Sequence, residues 1–217
     1  MNVSNLMWLC VVTALTQAVQ ATPSGSQVTS GGGSVAQSGN TTTVTQTSDN
    51  LSLNWQAFDI APQETVNFVQ PSTSAIAVNR ILDTNATQIL GSLNANGQVY
   101  LINPNGILFG QGAQVNVGGI VASALNFDDQ SLSDNARIFS GTGTGSIINQ
   151  GTLNAATGGY VALLGNTVNN QGAITAPLGT VALGAGNAAT LTFQNNSLVK
   201  MQVDQSVLNS LAENGGL

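Results

Sequence analysis

The chain has 217 residues, of which only 6% are charged, far below the roughly one quarter usual in soluble domains. Three basic residues against nine acidic ones give a net charge of −6, which excludes nucleic-acid binding by phosphate neutralisation and any polybasic membrane patch. Histidine is absent and the one cysteine is Cys10, so His-based acid/base catalysis, Ser-His and Cys-His nucleophilic pairs and zinc sites fall away together.

Residues 6–19 form an apolar run too short for a transmembrane helix. Val19-Gln20-Ala21 then places small residues at the positions where a signal peptidase cuts. Residues 1–21 read as a secretory signal peptide, although no Lys or Arg precedes the run; the alternative is a buried amino-terminal helix. Met7-Trp8-Leu9 is too bulky for a lipobox before Cys10. After cleavage the chain would carry no cysteine, which suits passage through an oxidising periplasm in the unfolded state.

Residues 22–50 are rich in Ser, Thr, Gly and Gln, a composition of linkers or disorder. Within them, 43–47 alternates weakly and fits a capping strand. Residues 51–60 alternate more clearly, with Leu51, Leu53, Trp55 and Ala57 on one face. Trp55 reads as a core plug rather than a carbohydrate platform. Strands between about 40 and 70 are expected to cap whatever follows.

Beyond this point no helical period of useful length occurs. Short apolar runs recur instead at 65–69, 74–78, 98–102, 107–109, 113–117 and 120–124, each ended by Gly or Asn. Arg80 reads either as a structural ion-pair partner of Asp83 or Asp59 or as a recognition residue. Between two of the runs stands Asn103-Pro104-Asn105-Gly106, which fits a type I turn: Asn bonds its own backbone two residues on, Pro presets φ, and Gly is favoured at the fourth place.

The only carboxylate cluster, Asp128, Asp129 and Asp134, lies in a polar stretch at 126–135 that breaks the pattern. It reads as a solvated loop, with a weak calcium site as the second reading. Gly141-Thr142-Gly143-Thr144-Gly145 lacks the Lys and the strand–helix setting of a phosphate loop and reads as a flexible connector.

The second half repeats openly. Asn149-Gln150-Gly151-Thr152-Leu153-Asn154-Ala155 matches Asn170-Gln171-Gly172-Ala173-Ile174-Thr175-Ala176 at an offset of 21, and Tyr160-Val161-Ala162-Leu163 matches Thr180-Val181-Ala182-Leu183 at an offset of 20. Glu213-Asn214-Gly215 begins a similar unit. Two short strands and two or three Gly/Asn turns fill such a period, which is one coil of a parallel β-helix; a propeller blade needs about twice the length. Val161 is expected over Val181 and Leu163 over Leu183 inside, and Asn149 over Asn170 as an amide ladder at a turn, unless these asparagines serve only as turn formers.

The stretch 97–110, with Asn79-Arg80-Ile81 upstream and Val115-Asn116-Val117-Gly118-Gly119-Ile120-Val121-Ala122-Ser123 downstream, resembles the amino-terminal secretion domain of the filamentous-haemagglutinin family, also called the haemagglutination activity domain. The resemblance runs from about Gly25 to the end. It implies an all-β fold, a right-handed parallel β-helix of the single-stranded pectin-lyase-like type with amino-terminal capping strands. It divides the chain into a signal peptide at 1–21, a two-partner secretion domain at 22–140, and continuing repeats at 141–217 that stop in mid-pattern.

It also implies function: secretion targeting for an adhesin, not an enzyme. The implied partners are the Sec translocase, an outer-membrane β-barrel transporter with periplasmic POTRA-type domains, and glycans or receptors on host cells. The implied destination is the surface of a Gram-negative bacterium or its surroundings. No cofactor or metal is implied. Asn103, Pro104, Asn105, Gly106 and Ile107 match the family's Asn-Pro-Asn-Gly-Ile motif, assigned first to turn geometry and second to partner recognition. The family's Asn-Pro-Asn-Leu motif is absent here, and Asn79-Arg80 stands in the comparable region. A β-helical polysaccharide lyase or hydrolase, and a free-standing glycan-binding adhesin, are the alternatives.

Overall fold

The computed structural model describes residues 22–203 and 211–214. The expected signal peptide at 1–21, with Cys10, and Gly215 of the tail repeat lie outside the described residues.

Short strands of alternating or wholly apolar residues, each ended by Gly, Asn or Pro turns, stack in parallel as a β-solenoid. The coil has three faces rather than the two strands per period expected. One coil runs through Ser146–Asn149, Thr152–Ala155 and Tyr160–Gly165, and the next through Thr167–Asn170, Ala173–Thr175 and Thr180–Ala185. Three strands fit into twenty residues because each is only three to six residues long and the corners between them are tight.

One face, here the amide face, stacks Thr41–Gln46, Thr65–Val69, Ser92–Ala95, Gln114–Val117, Thr152–Ala155 and Ala173–Thr175. A second, the covered face, stacks Asn50–Trp55, Ile76–Ile81, Gln98–Ile102, Gly119–Ser123, Tyr160–Gly165 and Thr180–Ala185. The third stacks Thr87–Ile89, Ile107–Phe109, Ser146–Asn149, Thr167–Asn170 and Leu211–Asn214.

A continuous core fills the interior, from Val44, Leu51 and Trp55 through Val99, Ile120 and Leu153 to Val168. The period-2 alternation of the strands puts these side chains inside, each worth about 1.5–3 kcal/mol when fully buried. The expected registers form, Val161 with Val181, Leu163 with Leu183 and Asn149 with Asn170, but Val181, expected inside, is 47% exposed on its strand of the last full coil. Asn149 Nδ2 donates to Asn170 Oδ1 at 2.7 Å, and both residues are buried. Asn214 pairs in register with Asn170 in the adjoining strand.

Residues 40–70 belong to the first coils instead of capping them. The cap is Gln27–Ser30, antiparallel to Asn50–Trp55, and Gly33–Ser38, antiparallel to Thr41–Gln46. Both lie in the stretch whose composition reads as linker. A cap strand with its residues largely in water needs backbone pairing but few apolar side chains, so it leaves little hydropathy signal.

The polar stretch at 126–135 leads out of the solenoid. Asn126–Phe127, the 3₁₀ helix Asp129–Ser133 and Ala136–Ser140 form an excursion that pairs antiparallel with Ala188–Gln194 and Ser197–Val203. This four-stranded sheet covers the outer side of the covered face, over a second core of Tyr100, Ile102, Val121, Phe139, Tyr160 and Phe193. Arg137 is buried there, its guanidinium 3.9 Å from the Phe193 ring centroid, and it donates to Tyr100 Oη. Tyr100 and Tyr160 hydroxyls lie 3.1 Å apart, and Tyr160 Oη donates to Gln98 Oε1 at 2.6 Å. Burial pushes both phenols above their ordinary range, Tyr160 the further, while the Arg137 charge pulls the other way.

Candidate functional site

The corner at residues 103–106 joins Gln98–Ile102 of the covered face to Ile107–Phe109 of the third face. Gly106 N–H donates to the Asn103 carbonyl at 2.9 Å, closing the turn. Asn105 N–H donates to Asn103 Oδ1 at 2.9 Å, the side-chain turn that the sequence predicted. Gly106 has φ +107°, a conformation that disfavours a side chain.

Asn103 is 0% exposed, and its further partners come from other coils. Its Nδ2 donates to the Asn85 carbonyl at 3.0 Å and to Thr87 Oγ1 at 2.9 Å in the coil before. Its backbone N–H donates to the Ser123 carbonyl at 2.9 Å in the coil after. One residue thus bonds its own turn and, through side chain and backbone together, ties three coils in register. Asn105 lies nearer the surface and donates from Nδ2 to the Asp83 carbonyl at 2.8 Å. Ile107 enters the interior core, flanked in register by Thr87 and Ile147.

The glycines at 141–145 are not a loose connector. A Cβ on Gly145 would stand 2.4 Å from the Pro104 carbonyl oxygen and 2.6 Å from Gly106 N. The segment is therefore laid directly on the Asn-Pro-Asn-Gly corner, which needs its glycines for close approach.

Asn79 and Arg80 lie on Ile76–Ile81 and face opposite ways. Asn79 points inward, 0% exposed, and its Oδ1 accepts from Trp55 Nε1 at 2.9 Å. Trp55 is the core plug expected of it. Arg80 points outward and pairs with Asp129 Oδ1 at 2.5 Å rather than with Asp83 or Asp59, also donating to the Phe127 carbonyl. The excursion brings Asp129 over the covered face, a contact with no signal in local sequence. Asp128 is committed as well, accepting from Gln130 N–H as the cap of the 3₁₀ helix. Among the described residues no group of three acidic or thiol side chains is arranged to hold a metal.

The two sequence motifs are brought together only through the stack: Asn79 pairs in register with Leu101, two residues before Asn103. The partners of the corner, Asp83, Asn85 and Thr87, were missed in the sequence. Stepping the twenty-residue period backwards from Asn105 reaches Asn85, in the middle of this segment, so the repeat itself held the signal.

The model of the TPS secretion domain, the secretion domain of two-partner secretion, matches residues 19–217. The chain belongs to that family. It is 34% identical over 232 residues to a heme/hemopexin-binding protein of Haemophilus influenzae, an alignment that covers 98% of the chain and 25% of that relative. A second heme/hemopexin-binding protein of the same species is 43% identical over 97 residues, 45% of the chain and 10% of the relative. The TPS domain thus spans about a quarter of the length of the first relative. Its fold matches the crystal structure of the HMW1 secretion domain from Haemophilus influenzae, with a TM-score of 0.76 at 30% identity over 88% of this chain and 50% of that one. The filamentous hemagglutinin secretion domain shares the fold at 15% identity, with a TM-score of 0.59 over 90% of this chain and 73% of that one. TPS domains direct the secretion of exoproteins from Gram-negative bacteria and work with an outer-membrane transporter.

Proposed function

We propose that this TPS domain is read by its transporter while unfolded, through the segments around Asn79-Arg80 and Asn103-Pro104-Asn105-Gly106-Ile107. One observation carries the reading: Asn79 and Asn103 are both 0% exposed once folded, so a partner that reads their side chains must do so before the coils close. The signal peptide at 1–21 hands the chain to the Sec translocase. In the periplasm, POTRA-type domains of the transporter add an extended segment to a sheet edge. Strands with so little charge suit this mode, since main-chain hydrogen bonds do the binding. Outside the cell each coil templates the next, so folding is stepwise and downhill, and supplies the directionality of export.

The domain carries no catalytic role in this reading. Asp128 and Asp129, two of the three clustered carboxylates, are held by the 3₁₀ cap and by Arg80. Incubating purified 22–217 with polysaccharides would yield no cleavage; release of new reducing or unsaturated ends would favour the β-helical enzyme instead.

The test of export is co-expression with the neighbouring barrel transporter. Export should stop when the barrel is deleted. Asn105→Ala should slow export while leaving an already folded domain folded. Unchanged export without the barrel would overturn the reading.

A further inference from the structure

Arg137 is a buried cation without a counter-charge. It is 5% exposed, its Nε has no partner, and among the described residues no carboxylate pairs with it. Burial keeps the phenols of Tyr100 and Tyr160 protonated, so neither balances the charge. The charge has an outlet instead. Arg137 donates to Tyr100 Oη. A phenol has a single hydrogen to give, and Tyr160 gives its own to Gln98 Oε1 at 2.6 Å. Across the 3.1 Å between the two hydroxyls, the donor is therefore Tyr100. Every bond runs from the guanidinium towards Gln98, and links of a one-way chain polarise one another. Tyr160 reaches Gln98 over Gly119, where a Cβ would stand 2.8 Å from the phenol ring.

The chain of bonds ends at a cavity of about 300 Å³. Gln98 and Tyr160 are buried wall groups of it, and Asn195 and Asn196, the left-handed turn of the hairpin 188–203, line its other side. Gln98 is 4% exposed, and among the described residues its side chain makes no hydrogen bond besides the one from Tyr160. Its Nε2 donors are left to the cavity. With the Gln98 oxygen engaged at the end of a chain that starts on a cation, those N–H groups are stronger donors than an ordinary amide's. Thr157 and Ser197 add hydroxyls to the same lining. Among the described residues, no Asp or Glu lines the cavity to repel an anion.

We propose that this cavity binds the carboxylate of a small monoanion, held by Gln98 Nε2 and balanced through the two tyrosines by the Arg137 charge. A carboxylate only accepts hydrogen bonds, and the buried wall of the cavity offers a donor. The interaction is charge-assisted without a direct ion pair, and it is little screened because the relay is buried. One relayed charge matches a monoanion. The net charge of −6 works against a dianion such as sulfate. The volume is that at which small-molecule sites begin, about 300 Å³, so the acid is a compact one. This binding is independent of the role in export and is measured on protein already secreted.

The test is titration of the secreted protein with acetate, propionate and butyrate against acetamide, propionamide and butyramide at matched ionic strength, followed by NMR at the Gln98 side-chain amide. Saturable shifts are expected with the acids and none with the amides. Trialanine with a free carboxyl end, against the same peptide amidated, tells a peptide terminus from a free acid as the source of the carboxylate; saturation by either supports the site. Arg137→Met removes the charge and should weaken binding at least about tenfold. Tyr160→Phe keeps the ring, cuts the relay and should weaken it as well. Thr157→Trp, at an exposed position on the lining, should block the cavity while the melting temperature stays unchanged. Amides that bind like the acids, no saturable shift with any carboxylate, or folded Arg137→Met or Tyr160→Phe variants that bind like the parent would each overturn the proposal.

Discussion

Asn79 inside the solenoid accepts the indole N–H of Trp55 from the neighbouring strand at 2.9 Å, and gives its own amide hydrogens to the carbonyls of Ala77 and Tyr100. A polar residue thus completes the core around its largest side chain. Asn79→Leu keeps the branched shape but orphans the Trp55 donor, and should cost at least about 1–3 kcal/mol. Trp55 is the only tryptophan outside residues 1–21, so its fluorescence during urea unfolding of the mature chain reports the loss directly.

Asn103 and Asn105 stand two residues apart in one turn and should behave differently. Asn103→Ala strips partners from groups in two coils, at a cost of at least about 2 kcal/mol. Asn105→Ala loses one bond near the surface, to the Asp83 carbonyl, and should cost about 1 kcal/mol or less. Chemical denaturation of the two purified variants measures both.

Arg137 is a buried cation whose contacts are phenol and aromatic rings, with its Nε unpartnered. Such a charge is costly to bury, and removing it together with its desolvation penalty should be mild. Arg137→Met should change stability by less than about 1 kcal/mol, whereas Tyr100→Phe takes one acceptor from a guanidinium that stays buried and should cost about 1–3 kcal/mol. A ranking in the opposite order in urea would sink this account of the cluster.

Tyr100 and Tyr160 titrate above their ordinary value of 10.0 in the folded chain, chiefly because burial disfavours the phenolate. Their folded pKa values exceed the unfolded ones, so the folded state holds its protons longer. Their contribution to stability is intact below pH 10 and is lost as pH rises through the folded values. A stability profile by urea denaturation from pH 8 to alkaline conditions should fall only above about 10, and less steeply in Tyr160→Phe.

Gly118 and Gly159 stack backbone on backbone at one corner. Gly159→Ala forces a Cβ to within 2.0 Å of a carbonyl oxygen. The coils must separate locally, with an overpacking cost of about 1–3 kcal/mol. Thermal melting reads the shift, and Gly39→Ala, where no atom lies within 4 Å but φ is +54°, provides the comparison for strain from backbone angle alone.

The solenoid was legible where the chain repeats. The runs at 65–69, 98–102 and 107–109 are strands with those bounds, and the ladder of Asn149 over Asn170 follows from an offset of 21. The outer sheet was not legible. Ala136–Ser140 pairs with Ala188–Gln194 across two intervening coils, and nothing local announces that partner. Its trace lay in strands already read: Gln98–Ile102, Gly119–Ser123 and Tyr160–Gly165 are buried at every position instead of alternating, as strands covered on both sides must be. The corner at 103–106 was legible as a turn, because its bonds at i+2 and i+3 are local. Its grip on Asn85, Thr87 and Ser123 was not, because those bonds depend on which residues the stack brings alongside.

The outer sheet sets a timetable for any chain delivered amino end first. Tyr100, Ile102 and Val121 present an apolar outer surface as soon as their coils form, and Arg137 arrives with only half its surroundings. Leu191 and Phe193 close over them only when Ala188–Gln194 has emerged and paired with Ala136–Ser140. Coils accumulate one by one, but the clasp over them shuts in a single late event that links contacts far apart in sequence, the kind that forms slowly. Until then the coils keep an open apolar side, and residue 203, the end of the last strand of that sheet, marks the length at which the cover is complete.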